Sequence, residues 1–123
     1  MDFDASIPIY LQIMEQIRER VVSGLWSVGE RIAPVRDLAA QFSVNPNTMQ
    51  RALAELEREG LLKSERTTGR FVTTDTVLVE QYRQTLVAER TAHFGEDMRR
   101  LGLDSDSILA AIEAWLNAEA RPH

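Results

Sequence analysis

Four polar side chains lie close together near the middle of the chain, at Asn47, Thr48, Gln50 and Arg51. Asparagine and glutamine match the major-groove edge of adenine, arginine suits guanine or a phosphate, and threonine can contact the DNA backbone or a thymine methyl group. The apolar residues around them are spaced as one helical face that leaves the polar residues free. These apolar residues are Met49, Ala52, Leu53 and Leu56. The pattern predicts a helix that reads bases in double-stranded DNA.

A turn precedes this helix. The apolar helical spacing stops at residues 43–47. Proline disfavours helix in the residue before it, and serine or asparagine can cap the helix that follows. Asn47 could therefore be a cap instead of a DNA contact, and both interpretations stay open. Upstream, Pro34 and the apolar spacing predict another helix over residues 35–42. Two helices joined by such a turn form a helix-turn-helix, whose second helix enters the major groove.

The elements around this motif predict a winged helix-turn-helix domain over residues 1–75. Pro8 and apolar residues at three- and four-residue steps predict a first helix that ends before Gly24. A short connection over residues 25–32 follows it. Residues 61–65 and 70–74 are predicted strands, and residues 66–69 are the hairpin turn between them. The predicted fold class is mainly α with a small β-hairpin.

Residues 76–123 are predicted to form a two-helix dimerisation tail. A long amphipathic helix follows Asp75, Gly102 interrupts it, and Asp104 or Ser105 can cap a shorter helix. The apolar stripes are too long to be buried within one hairpin, so we expect a second copy of the chain to cover them. The predicted dimerisation residues are Tyr82, Leu86, Phe94, Met98, Leu101, Ile108, Ile112 and Trp115.

The charge of the chain is unevenly distributed. The formal net charge is −5, but between Arg31 and Arg70 seven basic residues outnumber five acidic ones. The predicted DNA-binding segment is therefore positive, as phosphate contacts require. The chain contains no cysteine, its N-terminus Met1-Asp2-Phe3-Asp4 lacks the basic start of a secretory signal, and no apolar run approaches the ~20 residues of a membrane span. These features predict a cytoplasmic location and no membrane partner.

Enzymatic and metal-binding functions are not indicated. The acidic residues at 55, 57 and 59 are typical of a solvated helix face, with no nucleophile or base beside them. His93 has Glu96 and Asp97 nearby, but the chain has only two histidines, so we predict no metal site. We expect no catalytic residue and no cofactor. A winged helix used as a protein-interaction module remains the alternative, since the net charge is negative.

Five segments resemble the GntR family of bacterial transcriptional regulators, in one unbroken register over residues 7–74. They are Pro8–Ile13, Gly29–Ala39, Val44–Leu53, Leu56–Leu62 and Gly69–Val72. The short tail resembles the YtrA-like branch of that family, whose members lack large effector domains and are typically homodimeric repressors of nearby transporter operons. The resemblance implies a repressor that binds double-stranded operator DNA. A small-molecule effector stays an open alternative, although nothing in the sequence indicates one.

The resemblance also assigns residues. Arg36 corresponds to the family arginine that contacts DNA, Asn45–Arg51 to the start of the recognition helix, and Thr67–Arg70 to the wing. The implied DNA-binding residues are Arg36, Asn45, Asn47, Thr48, Gln50, Arg51, Thr67, Thr68, Gly69 and Arg70. A dimer would place two recognition helices on a palindromic operator, one on each half-site.

Overall fold

A computed structural model describes residues 3–121 as five helices and one two-stranded sheet. The elements are α1 (Ile9–Val22), α2 (Val35–Phe42), α3 (Pro46–Arg58), β1 (Leu62–Glu65), β2 (Gly69–Val72), α4 (Thr76–Arg100) and α5 (Ser105–Ala120). The outer limits of the two predicted domains, at residues 1 and 123, lie outside the described residues. The predicted fold class, mainly α with a small β-hairpin, is confirmed.

The described chain divides into two compact units between Gln84 and Thr85. The sequence predicts a boundary between residues 75 and 76, so the structure adds the beginning of α4 to the N-terminal unit. Val79 is buried there. Arg83 donates from Nε and Nη2 to the carbonyl oxygen of Val22, at 3.0 and 2.6 Å, and so caps the C-terminal end of α1.

Helices α1, α2 and α3 of the N-terminal unit share one apolar core, because each has apolar residues at helical spacing on a single face. The buried residues of α1 are Ile13, Met14, Ile17, Val21 and Val22. Those of α2 are Leu38, Ala39 and Phe42, and those of α3 are Met49, Ala52, Leu53 and Leu56. All three predicted helices are present, and α2 has the predicted limits.

The turn between α2 and α3 is built from one left-handed residue and one cap. Ser43 has φ 56° and ψ 45°, which ends α2. Asn45 is the N-cap of α3, and its Oδ1 accepts a hydrogen bond of 2.7 Å from the backbone N–H of Asn47. Pro46 occupies the first helical position, where it loses no helical hydrogen bond. The capping asparagine is thus Asn45, and Asn47 receives the cap.

Strands β1 and β2 pair antiparallel, with Leu62 opposite Val72 and Glu65 opposite Gly69. The predicted second strand, residues 70–74, is wrong at both ends. Gly69 already pairs and belongs to β2. Thr73 lies beyond the strand and is fully buried. Its polar groups are satisfied there, since its N–H donates to the carbonyl of Leu61 at 2.8 Å and its hydroxyl accepts from the N–H of residue 75 at 3.0 Å.

The connection between α1 and α2 adds a short third segment beside the hairpin. Arg31 pairs with Phe71 in an isolated antiparallel bridge. The N–H of Ile32 donates to the carbonyl of Arg70 at 3.0 Å, and the N–H of Val72 donates to the carbonyl of Glu30 at 2.8 Å. The sequence predicted this stretch only as a connection, whereas the structure ties it to the wing.

The C-terminal unit contains the rest of α4 and α5. Gly102, at φ +87°, follows the end of α4, and Asp104 caps α5 by accepting from the N–H of Ser107 at 2.9 Å. The predicted break and the predicted cap are confirmed. No residue of α5 is buried within the single chain. Among residues 3–121, no helix has the length and apolar character required to span a bilayer.

Candidate nucleic-acid interface

The first turns of α3 present polar side chains to solvent. Asn47, Gln50 and Arg51 are exposed and Thr48 is half-buried, while the opposite side of the helix packs into the core. The cap at Asn45 fixes the backbone of this first turn, so the polar side chains project from a defined helix end. The structure therefore gives α3 the two faces that a major-groove helix needs.

Arg51 makes a contact that the sequence did not predict. Its guanidinium carbon lies 3.7 Å from the centroid of the Tyr10 ring, close enough for a cation–π interaction between α3 and the start of α1. Ile9, Tyr10, Asn47, Thr48 and Arg51 line one shallow hollow. The stacking orients the guanidinium while leaving its N–H groups available.

The tip of the hairpin carries Thr67, Thr68 and Gly69, all exposed. Gly69 has φ +117°, a conformation that L side chains rarely adopt. A β-carbon at this position would also lie 3.0 Å from Nε of Arg31. The backbone conformation favours glycine at this position, and a larger residue would also displace the Arg31 guanidinium that lies against it.

Arg70 is engaged inside the N-terminal unit. Its Nε donates to a carboxylate oxygen of Glu57 on α3, and the hydroxyl of Ser64 on β1 donates to the same oxygen. Only 17% of the Arg70 side chain is exposed. This arginine, predicted from the family resemblance as a DNA contact, ties the wing to the recognition helix.

A cleft of about 540 Å³ lies between the hairpin, α3 and the segment before α2. Gln50, Thr67, Gly69 and Arg70 are the predicted site residues that line it. Arg31 also lines it, and within residues 3–121 its exposed side chain makes no hydrogen bond or ion pair. Arg31 belongs to the positive segment of the sequence, but no local pattern predicts a role for it.

The remaining predicted DNA-binding residues line neither the cleft nor the hollow at Tyr10. They are Arg36, Asn45 and Thr68. Arg36 is exposed on the first turn of α2, and Asn45 is occupied as the helix cap. Thr68 lies at the hairpin tip, where its N–H donates to the carbonyl of Glu65. Arg36 and Thr68 are both exposed to solvent.

The predicted dimerisation residues fall into both units. Four of them line an apolar hollow of about 380 Å³ in the C-terminal unit: Phe94, Met98, Ile112 and Trp115. Leu101 is 71% exposed, and Leu86 and Ile108 are half-buried. Tyr82 lies in the N-terminal unit instead. Burial raises the pKa of its hydroxyl, and the negative charge of nearby Glu59, the residue after α3, raises the pKa further.

Comparison with known proteins agrees with this geometry. The model of the bacterial regulatory proteins of the gntR family matches residues 9–72. The HTH-type transcriptional repressor YtrA of Bacillus subtilis is 33% identical, over 94% of this chain and 87% of its own length. A GntR-family regulator from Listeria monocytogenes has a TM-score of 0.82 at 37% identity, covering 91% of this chain and 98% of that structure.

A DNA complex is also among the similar structures. The AraR DNA-binding domain, solved with operator ORR3, has a TM-score of 0.53 at 29% identity, over 59% of this chain and 88% of that domain. The predicted family resemblance is confirmed, and the family consists of transcriptional regulators and not enzymes. This chain therefore belongs to the GntR family of bacterial transcriptional regulators.

Proposed function

We propose that this regulator is a homodimeric repressor that binds a palindromic operator sequence-specifically in the bacterial cytoplasm. The observation that carries the proposal is the capped start of α3, where Asn47, Gln50 and Arg51 are exposed opposite a buried apolar face. The AraR complex with its operator supports DNA as the ligand, and the repressor YtrA supports repression. A transporter operon as the target stays a prediction from the resemblance.

In this proposal some of the exposed side chains read bases and others bind the DNA backbone. Gln50 and Asn47 read base edges from α3 in the major groove, because an amide can donate and accept at once. Arg51, held by Tyr10, and Arg36, on the first turn of α2, bind phosphates and so fix the position of α3. The hairpin tip reaches the neighbouring minor groove, and Arg70 contributes by holding the wing to Glu57.

The C-terminal unit supports the dimer. No residue of α5 is buried in one chain, although Ile112, Trp115 and Leu116 are large apolar side chains on its surface. The apolar hollow in the same unit offers a seat for such side chains from a second copy. Two-fold symmetry then presents one recognition helix to each half-site, with half-site centres about 34–36 Å apart or a multiple of that distance.

The test is fluorescence anisotropy of the full chain on a duplex taken from the DNA upstream of its own gene, against a scrambled duplex, at two salt concentrations. Gln50→Ala should lower operator affinity by about 1–3 kcal/mol and relax the preference at one base pair in each half-site. Gln84→Ala is the matched control, because it removes an exposed glutamine from α4.

Equal operator affinity and unchanged base preference in Gln50→Ala would contradict the assignment of α3 as the recognition helix. A wild-type chain that prefers no sequence at either salt concentration would contradict the repressor proposal as a whole. The protein-interaction alternative would then be the better explanation, since the net charge of −5 disfavours unspecific DNA binding.

A further inference from the structure

We propose that Arg31 is a DNA-backbone contact, which binds the sugar-phosphate strand lying between the groove occupied by α3 and the groove occupied by the hairpin. This inference rests on the proposed DNA-binding function and adds a residue outside both the helix-turn-helix and the wing. The expected ligand atom is a phosphate oxygen, so the contribution of Arg31 is independent of base sequence.

The backbone of Arg31 is held in place from both sides. The residue pairs with Phe71 of β2, and hydrogen bonds of 3.0 and 2.8 Å flank it, from Ile32 to Arg70 and from Val72 to Glu30. A side chain that starts from a fixed strand-like segment loses less conformational freedom on binding than one on a mobile loop. The fixed backbone therefore preorganises Arg31 for a DNA contact, although the sequence predicts only a connecting segment at this position.

The side chain of Arg31 lies across residue 69, where the absence of a β-carbon makes room for it. Its Nε is 3.0 Å from the place that such an atom would occupy, and Nη2 is 3.4 Å away. The guanidinium thus rests against the start of β2, next to the hairpin turn, and lines the cleft that α3 and the hairpin enclose. This placement directs the positive charge into the space between the two DNA-contacting elements.

Three arginines line the cleft, and of these Arg31 and Arg66 make no ion pair with any of residues 3–121, but Arg31 alone stands on the segment before α2 that is paired to β2. Arg70 is already paired with Glu57, so its charge is largely compensated within the protein. Arg31 has no hydrogen bond or ion pair to any of residues 3–121, and Glu65, which also lines the cleft, is not bonded to it. An uncompensated guanidinium beside a concave surface fits an anion, and its planar fork suits a phosphate.

The geometry of DNA determines which anion reaches the cleft. Gln50 lines it from α3, and Thr67 lines it from the hairpin. With α3 in the major groove and the hairpin in the next minor groove, the strand that separates the two grooves has to pass over the cleft. Arg31 then faces a phosphate of that strand, whereas base edges lie deeper in the grooves on either side.

The experiment measures the affinity of the full chain for operator and scrambled duplexes over a series of salt concentrations. Arg31→Gln keeps a polar side chain with the same first three carbons but removes the charge and the guanidinium. It should lower affinity for both duplexes by the same factor, roughly ten- to a hundredfold at low salt. The slope of log affinity against log salt should become shallower by about 0.9, the value for one lost phosphate contact.

Two further variants separate charge from structure. Arg31→Lys should restore the salt slope and only part of the affinity, because lysine keeps the charge without the fork. Arg121→Ala removes an equal charge from the end of α5 and should leave the slope unchanged. Thermal unfolding of each variant checks that the fold is intact.

The outcomes discriminate between this inference and the proposed function. An unchanged salt slope in Arg31→Gln, with operator binding still dependent on Gln50, would overturn the role of Arg31 and leave the repressor proposal standing. A loss restricted to the operator would overturn the phosphate assignment in favour of a base contact. A wild-type chain that binds no DNA would overturn both.

Discussion

Glu57 joins the recognition helix to the wing. Its carboxylate accepts from Arg70 of β2 and from Ser64 of β1. Burial raises the pKa of Glu57, but the hydrogen bonds from Ser64 and Arg70 and the positive charge of Arg70 outweigh it, so the pKa lies below the ordinary value of 4.5. One carboxylate on the outer side of α3 thus sets where the hairpin stands relative to the helix.

This pKa shift predicts an acid-sensitive contribution to stability. Because the pKa is lower in the folded chain, the contribution is complete above the ordinary value of 4.5 and is lost as the pH falls through the lowered value. Glu57→Gln should lose this contribution, so its free energy of unfolding should fall less steeply below pH 4.5 than that of the wild type.

Urea unfolding between pH 3 and pH 7 measures the difference. Glu113→Gln is the control, because it removes an exposed carboxylate from α5. Parallel acid profiles for the wild type and Glu57→Gln would show that the contact between wing and helix does not titrate in this range.

At the scale of elements, local patterns were enough to place the helices and the hairpin. Pro34 before α2, Gly60 after α3 and Gly102 after α4 mark helix limits, and apolar spacing marks the buried faces. The contacts that shape the site join distant positions, such as Tyr10 with Arg51 and Arg31 with Phe71. No local period specifies such a partner, because the pairing depends on how the elements pack.

The cap of α3 likewise could not be assigned from the local sequence pattern. The sequence left Asn47 open as a cap, but the residue with the extended N-cap backbone is Asn45, whose side chain accepts from the N–H of Asn47. Asn45→Ala should destabilise the N-terminal unit by about 1 kcal/mol, within a range of roughly 0.5–2 kcal/mol, because the N–H of Asn47 loses its acceptor. Equilibrium denaturation of the full chain gives this value.

Asn47→Ala is the matched variant on the same turn. Its side chain does not cap α3, so stability should change little while operator affinity falls. The opposite result, with Asn47→Ala the less stable of the two, would mean that Asn47 supports the helix and that its role in DNA reading has to be withdrawn.

At the scale of the whole molecule, the C-terminal unit exposes large apolar side chains within the single chain. Trp115 is 63% exposed and Leu109 is 61% exposed, on a helix that buries no residue within one chain. Monomeric proteins rarely expose contiguous patches of this kind. In the proposed dimer a second copy covers them and doubles the number of recognition helices, so the proposal predicts that assembly and operator binding are coupled.

Trp115→Glu tests this coupling. A charge in the apolar hollow should shift the chain from about twice 14.0 kDa to 14.0 kDa in sedimentation equilibrium, and operator affinity should fall by at least about tenfold as the second half-site is lost. Leu25→Glu makes the same kind of change at a 70% exposed position of the N-terminal unit and should leave the mass unchanged. A wild-type chain of 14.0 kDa at micromolar concentration would rule out the tail as a dimerisation element.

The division between the two units falls inside α4, and this position matters for anyone who builds chimaeras of such regulators. A graft made directly after the last strand would remove Val79 from the core, Tyr82 from its place beside Glu59, and the arginine that caps α1. The N-terminal unit extends to Gln84. A tail from another protein therefore has to be joined after that residue, so that its first helix continues α4 without a change in rotation. Tail exchange between relatives is therefore a question of matching the turns of one helix and not of choosing a linker.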